Sequence, residues 1–268
     1  MWTLDEATDS AFMDNEHILI QNVPELTSFG YVSHSSDYFA SRAVKLSAKS
    51  LEKLSYIEEG SEGFKGFMFN DDGQVIVYPR LRDLYVGDFK KGIDKFTTDR
   101  SIIPFPALQH LRIHSSCIFK DDTLFRGSTN TLVSLDIGLH PDIVDIFRKY
   151  KVFTQGAYPN ILHVSATLDC YRNSILPADE FVVAAFELIS PATQSMSIIG
   201  DNPYQRISSV IPTCPYLENI QILHLEKAEL SVLEILDVLK GIPCVTDFGC
   251  RFQGIDSELN AIQDSVIP

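Results

Sequence analysis

The chain lacks an uninterrupted apolar run of the roughly 20 residues that a membrane helix needs. No secretory leader is expected, since one would start basic and turn apolar, whereas Met1 to Glu16 holds five acidic residues and no Lys or Arg. Basic side chains are scarce throughout, 22 Lys and Arg against 36 Asp and Glu, for a formal charge of −14. That balance argues against a nucleic-acid backbone as the main ligand, because phosphate binding takes clustered Lys and Arg. It suits solubility or a basic protein partner. The five cysteines, at 117, 170, 214, 244 and 250, are odd in number, irregularly spaced and without a Cys-x-x-Cys pair. No disulfide framework or zinc knuckle is expected, and reduced thiols fit a cytoplasmic or nuclear setting. Gly-x-Gly-x-x-Gly, Walker A, Gly-x-Ser-x-Gly and His-Glu-x-x-His signatures are also missing, so no catalytic residue, cofactor or metal ion is expected.

What the chain has is repetition. Phe105-Pro106-Ala107-Leu108-Gln109-His110-Leu111-Arg112-Ile113 follows the pattern Pro-x-Leu-x-x-Leu-x-Ile. Its last two apolar residues stand two apart, the spacing of one strand face. The pattern returns from Pro79 to Val86 and from Pro215 to Ile222, and more loosely from Pro24, Pro159 and Pro243. Copies without proline begin at Leu51 and Leu132, and a degenerate one at Thr193. The anchors 26, 51, 81, 108, 132, 161, 193, 217 and 245 lie 24 to 32 residues apart. Nine strands at such a period predict an α/β solenoid, each repeat one strand plus a helix or 3₁₀ turn.

The connecting segments support this. Asp37 is placed to cap a helix with Phe39, Ala40, Ala43 and Leu46 on one face. The apolar runs on either side of Asn70-Asp71-Asp72-Gly73 predict a β-hairpin; adjacent acids beside glycine are turn chemistry, not an acid/base pair. Helices are expected over 140–150, from Pro177 through Leu188 to a stop at Pro191, and after the capping box Ser231-Val232-Leu233-Glu234. The acidic stretch 1–20 reads as a leader or a repeat remnant, 21–255 as the solenoid and 256–268 as a tail.

Three stretches carry a family resemblance: Asn70-Asp71-Asp72-Gly73 leading to Tyr78-Pro79-x-Leu81, then Asp121 to Gly127, then Phe147 to Thr154. With the repeats they make residues 20–255 resemble divergent leucine-rich-repeat proteins, including uncharacterised fungal proteins that look like F-box/LRR subunits. The resemblance implies a horseshoe with a protein-binding concave face and a substrate-recognition role in an F-box-type assembly. The helical Leu-Pro-rich F-box segment itself is not found. Nor is the Asn or Cys that regular repeats carry after the strand: Phe89, Ser116, His140, Leu225 and Gln253 stand there. The turns must be satisfied otherwise.

Two histidine patterns fail as metal sites. His224-Leu225-Glu226 with Pro243-Cys244 matches part of the zinc-deaminase signature, but Asp247 stands where its last cysteine belongs. His110 and His114 have helical ligand spacing yet fall on a strand, where four residues span about 13 Å. The expected binding surface is the outward strand face: Asp83 and Tyr85; His110, Arg112 and His114; Ser134 and Asp136; His163 and Ser165; Asn219 and Gln221; Asp247 and Arg251. Tyr85, Arg112 and Asp136 are expected to form a row across three strands. An aromatic beside an arginine is the composition of interface hot spots. The function expected is a protein-interaction module. The rival is a structural solenoid fragment without binding activity of its own.

Overall fold

The computed structural model describes residues 25–33, 38–58, 63–87, 102–114, 125–139, 157–168, 178–200 and 216–252. The leader over 1–20, the helix over 140–150, the tail over 256–268 and most of the stretches 121–127 and 147–154 lie outside these residues.

Among the described residues the architecture is α/β, with nine strands whose order follows the chain. They are β1 (Ser28–Ser33), β2 (Lys53–Glu58), β3 (Asp83–Gly87), β4 (His110–His114), β5 (Ser134–Leu139), β6 (His163–Leu168), β7 (Ser195–Gly200), β8 (Ile222–Leu230) and β9 (Asp247–Phe252). Every described pairing between them is parallel. Helices α1 (Tyr38–Leu46), α2 (Gly63–Met68), α3 (Ala178–Phe186) and α4 (Val232–Gly241) fall between strands. No helix among the described residues is long and apolar enough to cross a membrane. The chain divides into two compact units, Met1–Leu135 and Asp136–Pro268.

The recurring Pro-x-Leu has a local cause. In Tyr78-Pro79-Arg80-Leu81 the Leu81 N–H donates to the Tyr78 carbonyl at 3.3 Å. The same turn recurs from Phe105 to Leu108 (3.4 Å), Tyr158 to Ile161 (3.4 Å), Ser190 to Thr193 (3.1 Å) and Ile242 to Val245 (3.3 Å). Proline occupies the second turn position, where its fixed φ is already correct and its missing N–H is not needed. The turn aims the chain into the strand. There a single carbonyl accepts two successive N–H groups from the next repeat, as Glu52 does from Arg82 (2.8 Å) and Asp83 (3.1 Å). Thr27, Arg82 and Gln109 repeat this in the first unit, and Leu162, Gln194 and Gln221 in the second.

In the first unit, Leu54, Tyr56, Leu84, Val86, Leu111 and Ile113 turn inward and are almost wholly buried. Behind them runs a ladder of rings. Tyr31 meets Tyr56 (centroids 5.1 Å), Tyr56 meets Phe67 (4.9 Å), and Phe67 meets Tyr78 edge-on (6.4 Å). Tyr78 then stacks on Phe105 (5.8 Å) and Phe105 on Phe125 (6.0 Å). Tyr78 and Phe105 hold the same turn position in successive repeats, which brings their rings into register. The Tyr78 hydroxyl donates to the Phe67 carbonyl.

Buried hydroxyls tie neighbouring repeats together where the strands begin. Ser50 Oγ donates to the Leu26 carbonyl (2.8 Å) and Ser128 Oγ to that of Phe105 (2.6 Å). In the second unit Ser190 Oγ and Thr193 Oγ1 both donate to Ile161 O at 2.9 Å. That unit buries Val164, Ala166, Met196, Ile198, Leu223 and Leu225 beneath β6, β7 and β8. The capping box forms as expected: Ser231 Oγ accepts from Glu234 N–H (3.3 Å), and Glu234 Oε2 from Ser231 N–H (2.9 Å).

Three expectations need correction. Leu46 is exposed, because α1 buries Ala40, Ala43, Val44 and the following Ser47, and Leu46 lies off that i, i+3, i+4, i+7 stripe. The hairpin at 64–78 shrinks to one antiparallel bridge, Phe69 to Val75. Its first arm coils into α2 instead, which delivers the Phe67 ring to the ladder. The turn chemistry itself holds: Asn70 Oδ1 accepts from Asp72 N–H (3.1 Å) and Gln74 N–H (2.7 Å), and Gly73 takes φ +75°.

The third correction is a register slip. The copy from Pro215 places its anchor at Leu217, but Leu217–Asn219 is one turn of 3₁₀ helix. The anchor is Ile220, fully buried, whose N–H donates to Leu217 O at 3.1 Å. The strand then buries Leu223 and Leu225, three residues beyond the expected positions.

Candidate functional site

In the first unit, parallel register sets the outward residues side by side in rows. Ser28, Lys53, Asp83 and His110 make one row, Gly30, Ser55, Tyr85 and Arg112 the next, and Val32, Ile57, Gly87 and His114 the third. Each row alternates with the buried positions, as a strand's period of two requires. Tyr85 and Arg112 are therefore direct neighbours, and the guanidinium carbon lies 5.0 Å from the Tyr85 ring centroid. That is cation–π distance. Asp83 sits between two basic groups, Lys53 Nζ at 3.5 Å and His110 Nε2 at 3.9 Å. Such exposed pairs contribute at most about 1 kcal/mol.

The third row is apolar. Val32 is 68% exposed. Ile57 is folded over Gly87, where an added Cβ would meet its Cγ1 at 3.1 Å and the Tyr85 hydroxyl at 3.5 Å. The glycine thus lets the isoleucine lie flat beside the tyrosine. Of His114 only the backbone is described, opposite Gly87.

The division of the chain falls within β5, between Leu135 and Asp136; Ser134 and Asp136 are both half-buried there, alternating with Leu135 and Ile137 in the core. His163 is exposed and Ser165 half-buried on β6, in register with Ser195 and Ser197 of β7. Asp247 and Arg251 are exposed on β9. Asn219 and Gln221 do not belong to the strand face. Asn219 ends the 3₁₀ turn and donates to Pro191 O (3.0 Å), and Gln221 precedes β8 as a double carbonyl acceptor. The slip of three residues accounts for both. The outward residues of β8 are Ile222, His224 and Glu226.

His224 is the group that sequence reasoning missed as part of this face. Its Nε2 lies 3.4 Å from Asp247 Oδ2. The imidazole lies over Gly249, where a Cβ would come within 3.1 Å of ring Cδ2. Ser197 is its register neighbour on the other side. Ser197, His224 and Asp247 are thus adjacent, but the ring leans toward β9 and makes no hydrogen bond with Ser197. A serine nucleophile needs its base within hydrogen-bond reach, and this one has none.

Burial raises the Cys250 thiol above its ordinary range, the opposite of a reactive cysteine. No group of three or more metal-ligating side chains converges among the described residues. Asp71 and Asp72 are exposed in their turn, with Asp71 Oδ1 3.4 Å from Lys45 Nζ. No known family model matches the chain, and no curated protein matches it either.

Proposed function

We propose that the chain is a leucine-rich-repeat-type solenoid that serves as a protein-interaction module and binds through its outward strand face. The observation that carries this reading is the Tyr85–Arg112 pair. An aromatic and an arginine stand side by side on rigid neighbouring strands, outside the core, at 5.0 Å. Both residue types are enriched at binding hot spots, and strands hold them with less freedom than loops would. Solenoids use such faces as their extended binding surface. A substrate-recognition role in an F-box-type assembly rests on the family resemblance alone.

The test is proximity labelling and affinity capture from native lysate, comparing the wild-type chain with Y85A/R112A/D136A. Partners lost only with the variant are then purified and titrated against both proteins. Loss of direct binding without loss of fold supports the reading. An unchanged partner list, or none, transfers the weight to a purely structural role.

A further inference from the structure

The first and last described strands share a stretch of sequence. Pro24-Glu25-Leu26-Thr27-Ser28-Phe29-Gly30 leads into β1, and Pro243-Cys244-Val245-Thr246-Asp247-Phe248-Gly249 leads into β9. No repeat between them has Phe-Gly at this place. β1 and β9 are also the two edges of the described sheet. In interior repeats the anchor and the first inward strand residue are almost wholly buried, as at Leu81 with Leu84 and Ile220 with Leu223. At the two edges the same positions, Leu26 with Phe29 and Val245 with Phe248, are only half-buried. The main chain is complementary as well. Gln221 O receives Thr246 N–H (2.8 Å) and Asp247 N–H (3.1 Å), as its counterparts do in other repeats. Thr246 O is the equivalent acceptor one repeat further on, and Thr27 and Ser28 carry the equivalent pair of donors. Among the described residues, no hydrogen bond uses any of these three groups.

We infer that the β1 edge of one copy of this chain pairs in parallel with the β9 edge of a second copy, carrying the repeat interface head to tail from molecule to molecule. Thr246 O of one copy then accepts Thr27 N–H and Ser28 N–H of the other. The register follows: Asp247 stands beside Ser28, Phe248 beside Phe29 and Gly249 beside Gly30. The contact continues the interface that the described neighbouring strands already make, parallel and with apolar side chains inward. Phe29 and Phe248 become neighbours on strands about 4.8 Å apart, close enough for their rings to stack. Both then gain the burial that interior residues at this position have. On the outward side nothing opposes the approach. An added Cβ at Gly30 would meet no atom within 4 Å, and Asp247 faces an uncharged serine. An open strand edge templates pairing with another chain. A second copy is the occupant whose donors, acceptors and inward rings match these edges, and such a contact between unlike edges is heterologous. It lies apart from the Tyr85–Arg112 pair, so the assembly and the binding role stand or fall separately.

Sedimentation velocity from about 1 to 100 μM tests this with one variant at each edge. Thr27 O faces β2, so the Ser28 N–H faces away from it. Ser28→Pro therefore removes a donor to the second copy and no bond to β2, and proline is tolerated as the first residue of a strand. Phe248→Lys puts a charge on the β9 edge, a common guard against edge pairing. The wild-type chain should associate as its concentration rises. S28P and F248K alone should each associate at least about tenfold more weakly. Mixed together they should form a 1:1 complex, through the intact β9 of S28P and the intact β1 of F248K. Circular dichroism and thermal melting check folding, and F29K or F248E replaces a variant that melts well below wild type. Y85A/R112A/D136A, changed only on the outward face, should assemble as wild type does. A wild-type chain that stays monomeric at about 100 μM would overturn the inference. So would a mixture that fails to pair, or loss of assembly in Y85A/R112A/D136A. S28P associating like wild type would point to a contact between two β9 edges, and F248K doing so to one between two β1 edges; either result refutes the head-to-tail contact.

Discussion

Replacing Phe105 by alanine tests the ring ladder most directly. Phe105 is fully buried and stacked between Tyr78 and Phe125, at 5.8 and 6.0 Å. Truncating a buried phenylalanine costs about 3–5 kcal/mol in transfer and cavity terms. Phe105→Leu keeps most of the volume but loses two ring contacts, each worth about 0.5–1.5 kcal/mol, so about 1–3 kcal/mol is expected. Urea denaturation followed by circular dichroism measures both. With a slope of roughly 2–3 kcal/mol/M, the alanine variant's midpoint should fall by roughly 1–2 M and the leucine variant's by less. Hydrogen exchange adds a local readout. The Tyr78 amide bonds to Pro104 O at 2.8 Å and the Leu108 amide to Phe105 O at 3.4 Å, so both should lose protection. A cost below about 1 kcal/mol for Phe105→Ala, at unchanged slope, would mean that Phe105 does not lie between those rings.

Leu84 and its neighbour Tyr85 point to opposite sides of β3, so Leu84→Ala should cost about 2–5 kcal/mol and Tyr85→Ala about 1 or less; thermal melts showing the reverse order would place the strand one residue out of register. Ser128→Ala removes the donor to Phe105 O and should destabilise by about 1–2 kcal/mol. Ser47→Ala should be neutral or stabilising, because the buried Ser47 hydroxyl has no hydrogen-bond partner; equal losses in chemical denaturation would contradict both assignments. Tyr78→Phe should cost about 1 kcal/mol at neutral pH through its bond to Phe67 O. Burial raises the Tyr78 phenol well above its ordinary value, so the stability linked to the neutral phenol is complete below about pH 10 and lost as pH rises beyond it. The gap between wild type and Tyr78→Phe should therefore narrow above that pH in denaturation curves; a gap that widens would refute the sign.

The strands were legible by alternation alone in the copies at Leu51 and Leu132, and by alternation plus a proline turn in most others; only the copy from Pro215 was placed out of register. Proline at the second position of that turn is a backbone requirement written as a residue, so Pro79, Pro106, Pro159 and Pro243 locate their strands correctly, and Pro191, read as a helix stop, holds the same turn position. Pro215 misled because the single 3₁₀ turn at Leu217–Asn219 separates it from its anchor by three extra residues. Asn219 and Gln221 were consequently assigned to the face, and His224 was left off it. The arm before Asn70 was ambiguous for another reason: Phe64, Phe67 and Met68 satisfy both a strand's apolar run and a helix's i, i+3, i+4 spacing, and packing against Tyr56 and Tyr78 decides for the helix. The ring ladder had a usable signal in Tyr78-Pro79 and Phe105-Pro106, an aromatic directly before proline in two successive repeats. The Tyr85–Arg112 pair was legible once register was assumed, since neighbours in a parallel sheet follow from counting.

The carbonyl that takes two successive N–H groups has a bearing on how such a chain changes over generations. The accepting residues are Thr27, Glu52, Arg82, Gln109, Leu162, Gln194 and Gln221, which share no side-chain property. Selection on that bond sees only the main chain, so almost any mutation there is silent to the fold except one to proline at a donor position. None of the 13 prolines falls on a donor, from Glu52 and Lys53 through Thr246 and Asp247. The architecture can thus be inherited intact while its spelling drifts.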